Sequence, residues 1–191
     1  DPNGALDALP SGQTAVDVFN YTVTDSQGLV STSTIEITVM GVNDDAAILG
    51  TATGGVTEDS VPLSSVSGDL TVTDIDTGEN VFQAVTSVAG DVGLGHFSID
   101  TAGHWTYDLD NANLAVQALP DGDNLTDTIT VFSYDGTASQ VITVTITGTN
   151  DIPVFSGDLA VDVTEDVGVS GNNLVAGGTL VLTDPDTGES F

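Results

Sequence analysis

The sequence predicts an all-β chain built from tandem antiparallel β-sandwich repeats. Three observations support this class. Thr and Val dominate the composition, which favours strands over helices. Short runs of alternating apolar and polar residues recur about every 8 to 15 residues, with Gly- and Asp-containing turns between them. Several motifs also occur twice. The 39% of hydrophobic residues indicates a packed core despite the high charge.

The repeated motifs define the domain organisation. A period of about 110 residues is a whole domain rather than one turn of a solenoid. We therefore expect the back part of one repeat at residues 1–44, a complete repeat at 45–150 and the front part of a third at 151–191. Structural domain edges shifted from this sequence period remain an alternative. The motifs recur 107 or 110 residues later: Val-Thr-Glu-Asp (56–59, 163–166), Asn-Asp (43–44, 150–151), Ala-Leu-Pro (8–10, 118–120) and [Val/Leu]-Thr-Asp-x-Asp-Thr-Gly-Glu (72–79, 182–189).

A hairpin is predicted before the first Asn-Asp segment. Residues 18–24 place Phe, Tyr and Val against Asn and Thr, which is the alternation of a half-buried strand. The sequence Asp-Ser-Gln-Gly at 25–28 is a turn. Residues 35–39 then alternate Ile, Ile and Val with polar residues and form the returning strand. This hairpin leads into the first junction, which we define as the acidic segment 41–45.

The complete repeat is predicted to hold further strands and one helical turn. A hairpin around Asp-Thr-Ala-Gly at 100–103 would set His96 opposite Tyr107 and His104 opposite Ile99. Another surrounds Tyr-Asp-Gly at 134–136 and leads into the second junction, residues 147–153. The predicted strands are 70–73, 81–88, 96–99, 104–107, 129–131 and 141–146, and the helical turn is 113–119.

The charge is one-sided. The chain has 29 acids, 24 of them Asp, and no Lys or Arg, so its formal net charge is −29. Such a surface excludes nucleic-acid binding, which requires a basic footprint, and disfavours anionic membranes. Without Cys or Lys, neither a disulfide nor a Lys-based isopeptide bond can cross-link the fold. No run is apolar and long enough to span a bilayer, and no signal peptide is visible. If anything cross-links this chain, it is a metal ion.

Calcium at the junctions is the leading hypothesis for chemistry. Ca²⁺ takes six to eight oxygen ligands, mostly carboxylates and carbonyls. Two carboxylates about 4 Å apart repel by roughly 4 kcal/mol at an effective dielectric constant of 20, so a cluster without a cation is costly. Solvated loop acids are the alternative, because Asp is a common turn residue, but the acids recur in phase with the repeat. The candidate ligands are Asn43, Asp44, Asp45, Glu58, Asp59, Asp74, Asp76, Asn150, Asp151, Glu165, Asp166, Asp184 and Asp186.

Other chemistry is less well supported. The run from Asp121 to Asp127 resembles half an EF-hand loop without its distal Glu, and the preceding copy keeps only Asp17. His96 and His104 are not predicted to be cross-strand partners, and a zinc site is disfavoured without Cys. No local motif supports a nucleophilic triad. The repeat pattern explains the paired carboxylates without glycoside hydrolysis. We therefore predict that the chain is not an enzyme.

The motifs resemble the VCBS repeats of large bacterial surface adhesins of the RTX type, whose domains are Ig/cadherin-like. Four motifs carry the resemblance in order along the whole chain: Gly-Thr-Asn-Asp-x-Pro, Val-Thr-Glu-Asp, Val-Thr-Asp-x-Asp-Thr-Gly-Glu and Gly-x-Trp-Thr-Tyr-x-Leu-Asp-Asn. The first junction lacks the proline, and both linkers are shorter than in cadherins. By similarity, the calcium ligands would be Asn43, Asp44, Glu58, Asp74 and Asp76 at the first junction, and Asn150, Asp151, Glu165, Asp184 and Asp186 at the second.

The resemblance implies an extracellular spacer at a bacterial cell surface, stiffened by calcium and acting in cell adhesion and biofilm formation. Its partners would be neighbouring repeats of the same chain, other adhesin molecules or surface glycans. The alternative is a ligand-binding module that recognises a glycan or a partner adhesin. The nearest approach to an aromatic binding surface is His104, Trp105 and Tyr107. A solvent-exposed Trp105 would favour that alternative, and a buried Trp105 would favour the spacer.

Overall fold

The computed structural model describes residues 4–60, 64–167 and 169–188, without the side chain of residue 169. Glu189, which closes the second copy of the D-x-D motif, lies outside the described residues. The all-β class is confirmed: the described part of the chain contains fourteen strands and one four-residue helix. No helix in that part is long and apolar enough to cross a membrane.

The element bounds follow the chain in order. Before the central repeat lie β1 Thr14–Thr24 and β2 Val30–Met40. The central repeat contains β3 Ala47–Gly50, β4 Thr53–Thr57, β5 Ser65–Thr73, β6 Val85–Ala89, β7 Gly95–Ile99, β8 His104–Leu109, α1 Leu114–Gln117, β9 Asn124–Phe132 and β10 Ser139–Thr147. The last elements are β11 Val154–Gly157, β12 Val169–Ser170, β13 Asn173–Leu174 and β14 Leu180–Thr183.

Strands β3 to β10 form a two-sheet sandwich. One sheet has the order β3-β5-β8-β7-β6, and the other has the order β4-β10-β9. Neighbouring strands are antiparallel except β4 and β10, which are parallel. Strand β3 pairs with β5 in the first sheet. The chain then crosses to the other sheet, where β4 pairs with β10. The parallel pairing places the carboxyl ends of β4 and β10 at the same end of the sandwich, and this position decides which acids meet.

The core lies between the two sheets. Trp105 and Tyr107 of β8 are completely buried, and the ring of Phe97 lies 4.5 Å from that of Tyr107 between centroids. The Trp105 Nε1–H donates to the Thr51 carbonyl at 2.7 Å. Gly68 faces the same indole, and any Cβ there would approach Trp105 within 2.7 Å. The tryptophan is therefore a core residue whose one polar group is satisfied inside the sandwich.

Residues 81–88 do not form the single strand that the sequence predicts. Phe82 instead makes an isolated bridge to Ser133 beside β9, and β6 begins only at Val85, where it pairs with β7 of the other sheet. Ser87 has a φ of 50° within a register shift. The chain thus crosses between sheets in the middle of the predicted strand. A period-2 pattern cannot reveal such a crossing, because both halves bury alternate side chains.

The register of the β7–β8 hairpin also differs from the prediction. His96 lies opposite Asp108, and Phe97 lies opposite Tyr107. The loop contains one residue more than the prediction has, because Gly103 adopts a φ of +94° and the Asp100 carboxylate accepts the N–H groups of Ala102 and His104. Three-residue loops with a left-handed glycine are a common hairpin type. His96 and His104 are still not cross-strand partners.

The segments on either side of the sandwich pair locally. The predicted hairpin before the first junction is confirmed as β1 and β2, which pair over eleven residues each. Its apolar side chains are more exposed than a half-buried strand implies: Phe19 is 50% and Ile37 48% exposed. After the second junction, β11 pairs with β14 and β12 with β13. The β11–β14 pair repeats the β3–β5 pair of the central repeat and brings the second D-x-D loop towards the linker.

Candidate metal centres at the repeat junctions

The first junction joins the linker to the loop that follows β5. The Asp44 N–H donates to Asp76 Oδ2 at 2.9 Å, and the Asp76 N–H donates to Asp74 Oδ1 at 2.8 Å. The Asn43 amide donates to the Asp44 carbonyl at 2.8 Å and to Asp135 Oδ2 at 3.0 Å. Linker and loop acids therefore converge, and the turn between β9 and β10 contributes a further carboxylate.

The second junction repeats this arrangement. The Asp151 N–H donates to Asp186 Oδ2 at 2.9 Å, and the Asp186 N–H donates to Asp184 Oδ1 at 3.0 Å. The Asn150 amide donates to the Asp151 carbonyl at 2.8 Å. Each bond has its counterpart at the first junction, so both copies of the motif fold in the same way.

Glu58 lies at the second junction and not, as the resemblance implied, at the first. Its Oε1 accepts the Thr149 N–H at 2.7 Å, its own N–H donates to the Thr147 carbonyl at 3.1 Å, and the residue is only 1% exposed. The reason is the parallel pairing of β4 with β10, which carries the end of β4 to the start of the second linker. The glutamate of one repeat thus meets the linker that leads to the next repeat.

The predicted position of Glu165 and Asp166 at the second junction is wrong for the same reason. They are the copies of Glu58 and Asp59 one repeat later, and we expected them at the second junction. Their side chains are exposed and, with Asn172 and Leu174, line a surface cavity of about 460 Å³. The structure places Glu58 where Glu165 was expected. Asp45, the last candidate of the first linker, is also exposed.

Asp59 joins the second junction from a constrained backbone. Its φ is 54°. Its N–H donates to Asn111 Oδ1 at 2.9 Å, and the Asn111 amide donates to Asp59 Oδ1 at 2.6 Å. This bond from Asn111 holds the pKa of Asp59 below its usual value. The Asp59 carboxylate also lies beside that of Asp151, so acids from two consecutive segments face each other without an intervening positive side chain.

The free carboxylate oxygens are the main observation at both junctions. Among the described residues, seven buried side-chain polar atoms have no hydrogen-bond partner in the protein, and every one is a carboxylate oxygen of a junction acid. At the first junction they are Asp74 Oδ2, Asp76 Oδ1 and Glu79 Oε2, and at the second they are Glu58 Oε2, Asp151 Oδ2, Asp184 Oδ2 and Asp186 Oδ1.

Five of these acids share one design. A backbone N–H holds one oxygen of the carboxylate, and the other oxygen has no protein partner. The five acids are Glu58, Asp74, Asp76, Asp184 and Asp186. Buried polar groups are normally paired, so a cluster of orphaned carboxylate oxygens fits a bound cation. The donors are all oxygens, which suits Ca²⁺ better than zinc, whose ligands are mostly nitrogen and sulfur.

The pKa values at the second junction reflect crowding of like charges. Burial raises the pKa of Glu58, and the nearby acids Asp151, Asp59 and Asp186 add to this, against the lowering effect of the Thr149 N–H. Burial also raises the pKa of Asp151, together with the charges of Asp59 and Asp186. Both groups resist ionisation when no cation is present.

The first junction contains a compact cluster that we did not predict in full. One oxygen from each of Asp74, Glu79 and Asp135 lies within 4.8 Å of the others, which is close enough for a shared metal ion. Burial raises the pKa of Glu79, and Asp76, Asp74 and Asp135 add to the effect. For Asp135, burial alone would raise the pKa, but hydrogen bonds from Asn43 and from the surrounding turn outweigh it and lower the pKa.

The sequence held a signal for both missed residues. Glu79 belongs to the repeated D-x-D-Thr-Gly-Glu motif and recurs as Glu189. Asp135 has a counterpart in Asp25, 110 residues earlier and also in the turn of the last hairpin of its repeat. Counting every acid that recurs at the repeat period would have found them.

Asp127 has a structural role that excludes the half EF-hand. It is fully buried, and its Oδ1 accepts the N–H groups of Val92 and Thr128. Its Oδ2 accepts the Leu94 N–H at 3.0 Å and the Tyr107 hydroxyl at 3.3 Å. Asp121 and Asp123, the other acids of that run, are exposed. Asp127 therefore ties a loop to the core and has no free oxygen for an ion.

The aromatic surface required by the ligand-binding alternative is also missing at its expected place. Trp105 and Tyr107 are both completely buried. His104 is exposed on the outer face of the sheet, where Nδ1 lies 2.9 Å from Asp69 Oδ1. His96 is exposed opposite Asp108. An exposed His–Asp pair of this kind adds little stability.

In comparisons with known proteins, this chain matches solved structures only at the level of the fold. No protein-family model matches the sequence. No curated protein matches it either. Among solved structures, PcdhgB3 EC1-4 is 14% identical over 92% of this chain and 50% of that chain, with a TM-score of 0.39. The protocadherin GammaB4 extracellular domain is 18% identical over 91% of this chain and 27% of that chain, also at 0.39.

This chain thus spans half the length of one of these structures and about a quarter of the other. At such identities and TM-scores the likeness concerns the fold alone. The assignment of a β-sandwich rests on the strand order and the shared core of the central repeat.

Proposed function

We propose that this chain is a calcium-rigidified spacer segment of a large extracellular adhesin, and that it has no catalytic activity. The observation that carries the proposal is the set of seven orphaned carboxylate oxygens, all located at the two junctions of a chain without Lys or Arg. The domain boundaries 44/45 and 150/151 belong to the same proposal, because each falls inside or beside one of these acidic linkers.

The residues that would hold calcium come from three segments at each junction. At the second junction Glu58 and Asp59 precede the linker, the linker supplies Asn150 and Asp151, and the next repeat supplies Asp184 and Asp186. At the first junction the corresponding residues of this chain are Asn43, Asp44, Asp74 and Asp76, joined by Glu79 and Asp135. Bound calcium supplies the positive charge that these oxygen donors lack.

The proposed mechanism is electrostatic. Without a cation the carboxylates of consecutive repeats repel one another, and this repulsion weakens the contact between the repeats. Glu58, Asp184 and Asp186 are each already oriented by a backbone N–H at one oxygen, so little ordering is needed when the other oxygen meets an ion. Binding to the folded arrangement alone then stabilises it by mass action. Extracellular modules with weak sites work at millimolar calcium.

The wider setting follows from the resemblance of the motifs to VCBS repeats. It implies export and a location at a bacterial cell surface, where a string of repeats would hold an adhesive tip away from the cell in adhesion and biofilm formation. The partners of this segment would be neighbouring repeats, with other adhesin molecules or surface glycans as further partners.

Thermal unfolding tests the central claim. We expect millimolar Ca²⁺ to raise the melting temperature of the chain by about 5–10 °C over EDTA, since saturating one site a hundredfold adds about 2.7 kcal/mol. The same concentration of Mg²⁺ should have a much smaller effect, because Mg²⁺ retains its waters and requires octahedral geometry. An unchanged melting temperature in Ca²⁺, or an equal rise in Mg²⁺, would rule out a calcium-specific junction.

A further inference from the structure

A backbone carbonyl at the end of α1 is bonded to the following repeat. The Ala118 carbonyl accepts the Thr187 N–H at 3.1 Å and the Thr187 hydroxyl at 2.7 Å. The last carbonyls of a helix have no partner inside the helix and need one elsewhere. Here that partner lies beyond the linker, in the loop that also carries Asp184 and Asp186.

The same pair of bonds occurs at the first junction. The Ala8 carbonyl accepts the Thr77 N–H at 3.1 Å and the Thr77 hydroxyl at 2.8 Å. The two alanines are 110 residues apart, and so are the two threonines. The Ala8 N–H donates to the Gly4 carbonyl at 3.3 Å, as the Ala118 N–H donates to the Leu114 carbonyl at 3.1 Å, so the two turns have similar local bonding. The same contact is therefore formed at both junctions, although the two linkers differ in sequence.

The turn that offers this carbonyl is also packed against the linker. At the second junction a Cβ on Gly148 would overlap the carbonyl oxygens of Leu119 and Pro120. At the first junction a Cβ on Gly41 would overlap those of Leu9 and Pro10 in the same way. The recurring Ala-Leu-Pro motif therefore forms a turn that the linker glycine and the threonine of the next repeat both contact.

These contacts involve no charged group. We propose that the Ala-Leu-Pro turn of one repeat and the Thr of the next form a docking clasp, and that this clasp keeps consecutive repeats in contact when the junction holds no metal ion. Its partner is the following repeat of the same chain. The clasp is separate from the calcium site, so it adds to the proposed function and does not depend on it.

The test uses the full chain in EDTA. Because the chain has no Cys, Thr130→Cys on β9 and Ser156→Cys on β11, both exposed, allow spin labels on the two sides of the second junction. We expect a narrow distribution of label distances for the parent. Thr187→Val, which keeps the shape but removes the hydroxyl, should increase the open population about fivefold, the effect of one lost hydrogen bond. Thr187→Ser should resemble the parent.

A broad distribution in the parent, or equal distributions for the parent and Thr187→Val, would overturn the clasp. Slowed exchange of the Thr187 amide proton in EDTA is the second readout, and exchange at the rate of a free amide would also overturn it. Calcium titration of the same variants by calorimetry, after the EDTA has been removed, separates the two proposals. If no calcium binds but Thr187→Val still opens the junction, the clasp stands and the calcium site fails.

Discussion

Glu58 places a negative charge in a nearly inaccessible position that contains no positive side chain. One of its oxygens is fixed by the Thr149 N–H, and the other has no protein partner. An unpaired buried charge is among the most costly features of a protein interior. A side chain held in this way is better explained as a ligand than as a structural residue such as Asp127, both of whose oxygens are bonded.

Replacing Glu58 by Gln should separate binding from stability. Glu58→Gln keeps the size and the acceptor for Thr149 but removes the charge. We expect calcium affinity at the second junction to fall at least about tenfold, because loss of even an outer partner of a metal site costs that much. The matched control is Glu165→Gln, the same change at the exposed copy of the motif, and calorimetric titration measures both. Equal losses in the two variants would show that total charge, not this site, governs binding.

The raised pKa of Glu58 predicts how the calcium-free protein responds to pH. A carboxyl with a higher pKa in the folded state than in the unfolded state binds its proton more tightly when folded. Its stabilising contribution is fully present below the unfolded value of 4.5 and is lost as the pH rises through the folded value. The calcium-free chain should therefore gain stability between pH 7 and pH 5.

Urea unfolding at several pH values in calcium-free buffer measures that gain. Glu58→Gln should show a smaller gain than the parent, whereas Glu165→Gln should follow the parent. Staying above pH 4.5 avoids the opposite contributions of Asp59 and Asp135, whose lowered pKa values act only at more acidic pH. Identical pH profiles for the parent and Glu58→Gln would show that this carboxyl is not strained in the folded state.

The repeat period alone identified most of the junction acids, because acids that occupy the same place in each repeat recur in the sequence at the repeat period. The period could not tell which junction Glu58 serves. That depends on whether the strand before it runs parallel or antiparallel to the last strand of the repeat, and pairing between strands about 90 residues apart leaves no local pattern. The carboxylates of Asp74 and Asp76 come from one loop, and the fold brings Asp76 to the linker, where it accepts the Asp44 N–H.

Among the elements, strands with clear alternation were predictable, including β7 and β8 with only five and six residues, whereas β3 and β4 were not. β1, β2, β9 and β10 have nine to eleven residues with clear alternation. β3 and β4 have four and five residues, and β4 contains two glycines, which are weak strand formers. Gly54 is required there because the Trp105 ring and Val66 occupy the space that a Cβ would need. The element that positions Glu58 is thus set by packing against the core rather than by its own propensity.

Gly148 of the second linker is tightly packed, and replacing it tests how the junction is held together. Gly148→Ala should destabilise the second junction by about 1–3 kcal/mol, the usual cost of overpacking, since the new methyl would meet backbone carbonyls that cannot move aside. Gly177→Ala is the matched control, because nothing lies within 4 Å of its Cβ position. Urea unfolding in EDTA compares the two variants. Equal stability would show that the linker is not packed against the Ala-Leu-Pro turn.

For the whole molecule, the acids do more than form two sites. With a formal net charge of −29, every folded arrangement brings negative charges closer together than the unfolded chain does. The acids whose oxygens are buried and unpaired lie at the junctions, whereas Asp100 and Asp127 bond to backbone N–H groups of the sandwich. Repulsion should therefore weaken contact between repeats before it weakens the core.

Salt and calcium should consequently act in different ways. Raising NaCl from about 0.02 M to about 0.5 M shortens the range of repulsion from roughly 20 Å to a few ångströms. In EDTA the melting temperature should rise by roughly 5 °C over this range. In millimolar Ca²⁺ the rise should be smaller or reversed, because the junction acids are already neutralised and salt also weakens calcium binding. KCl should match NaCl, since screening depends on ionic strength. A salt response that is the same with and without calcium would mean that repulsion at the junctions is not what calcium relieves.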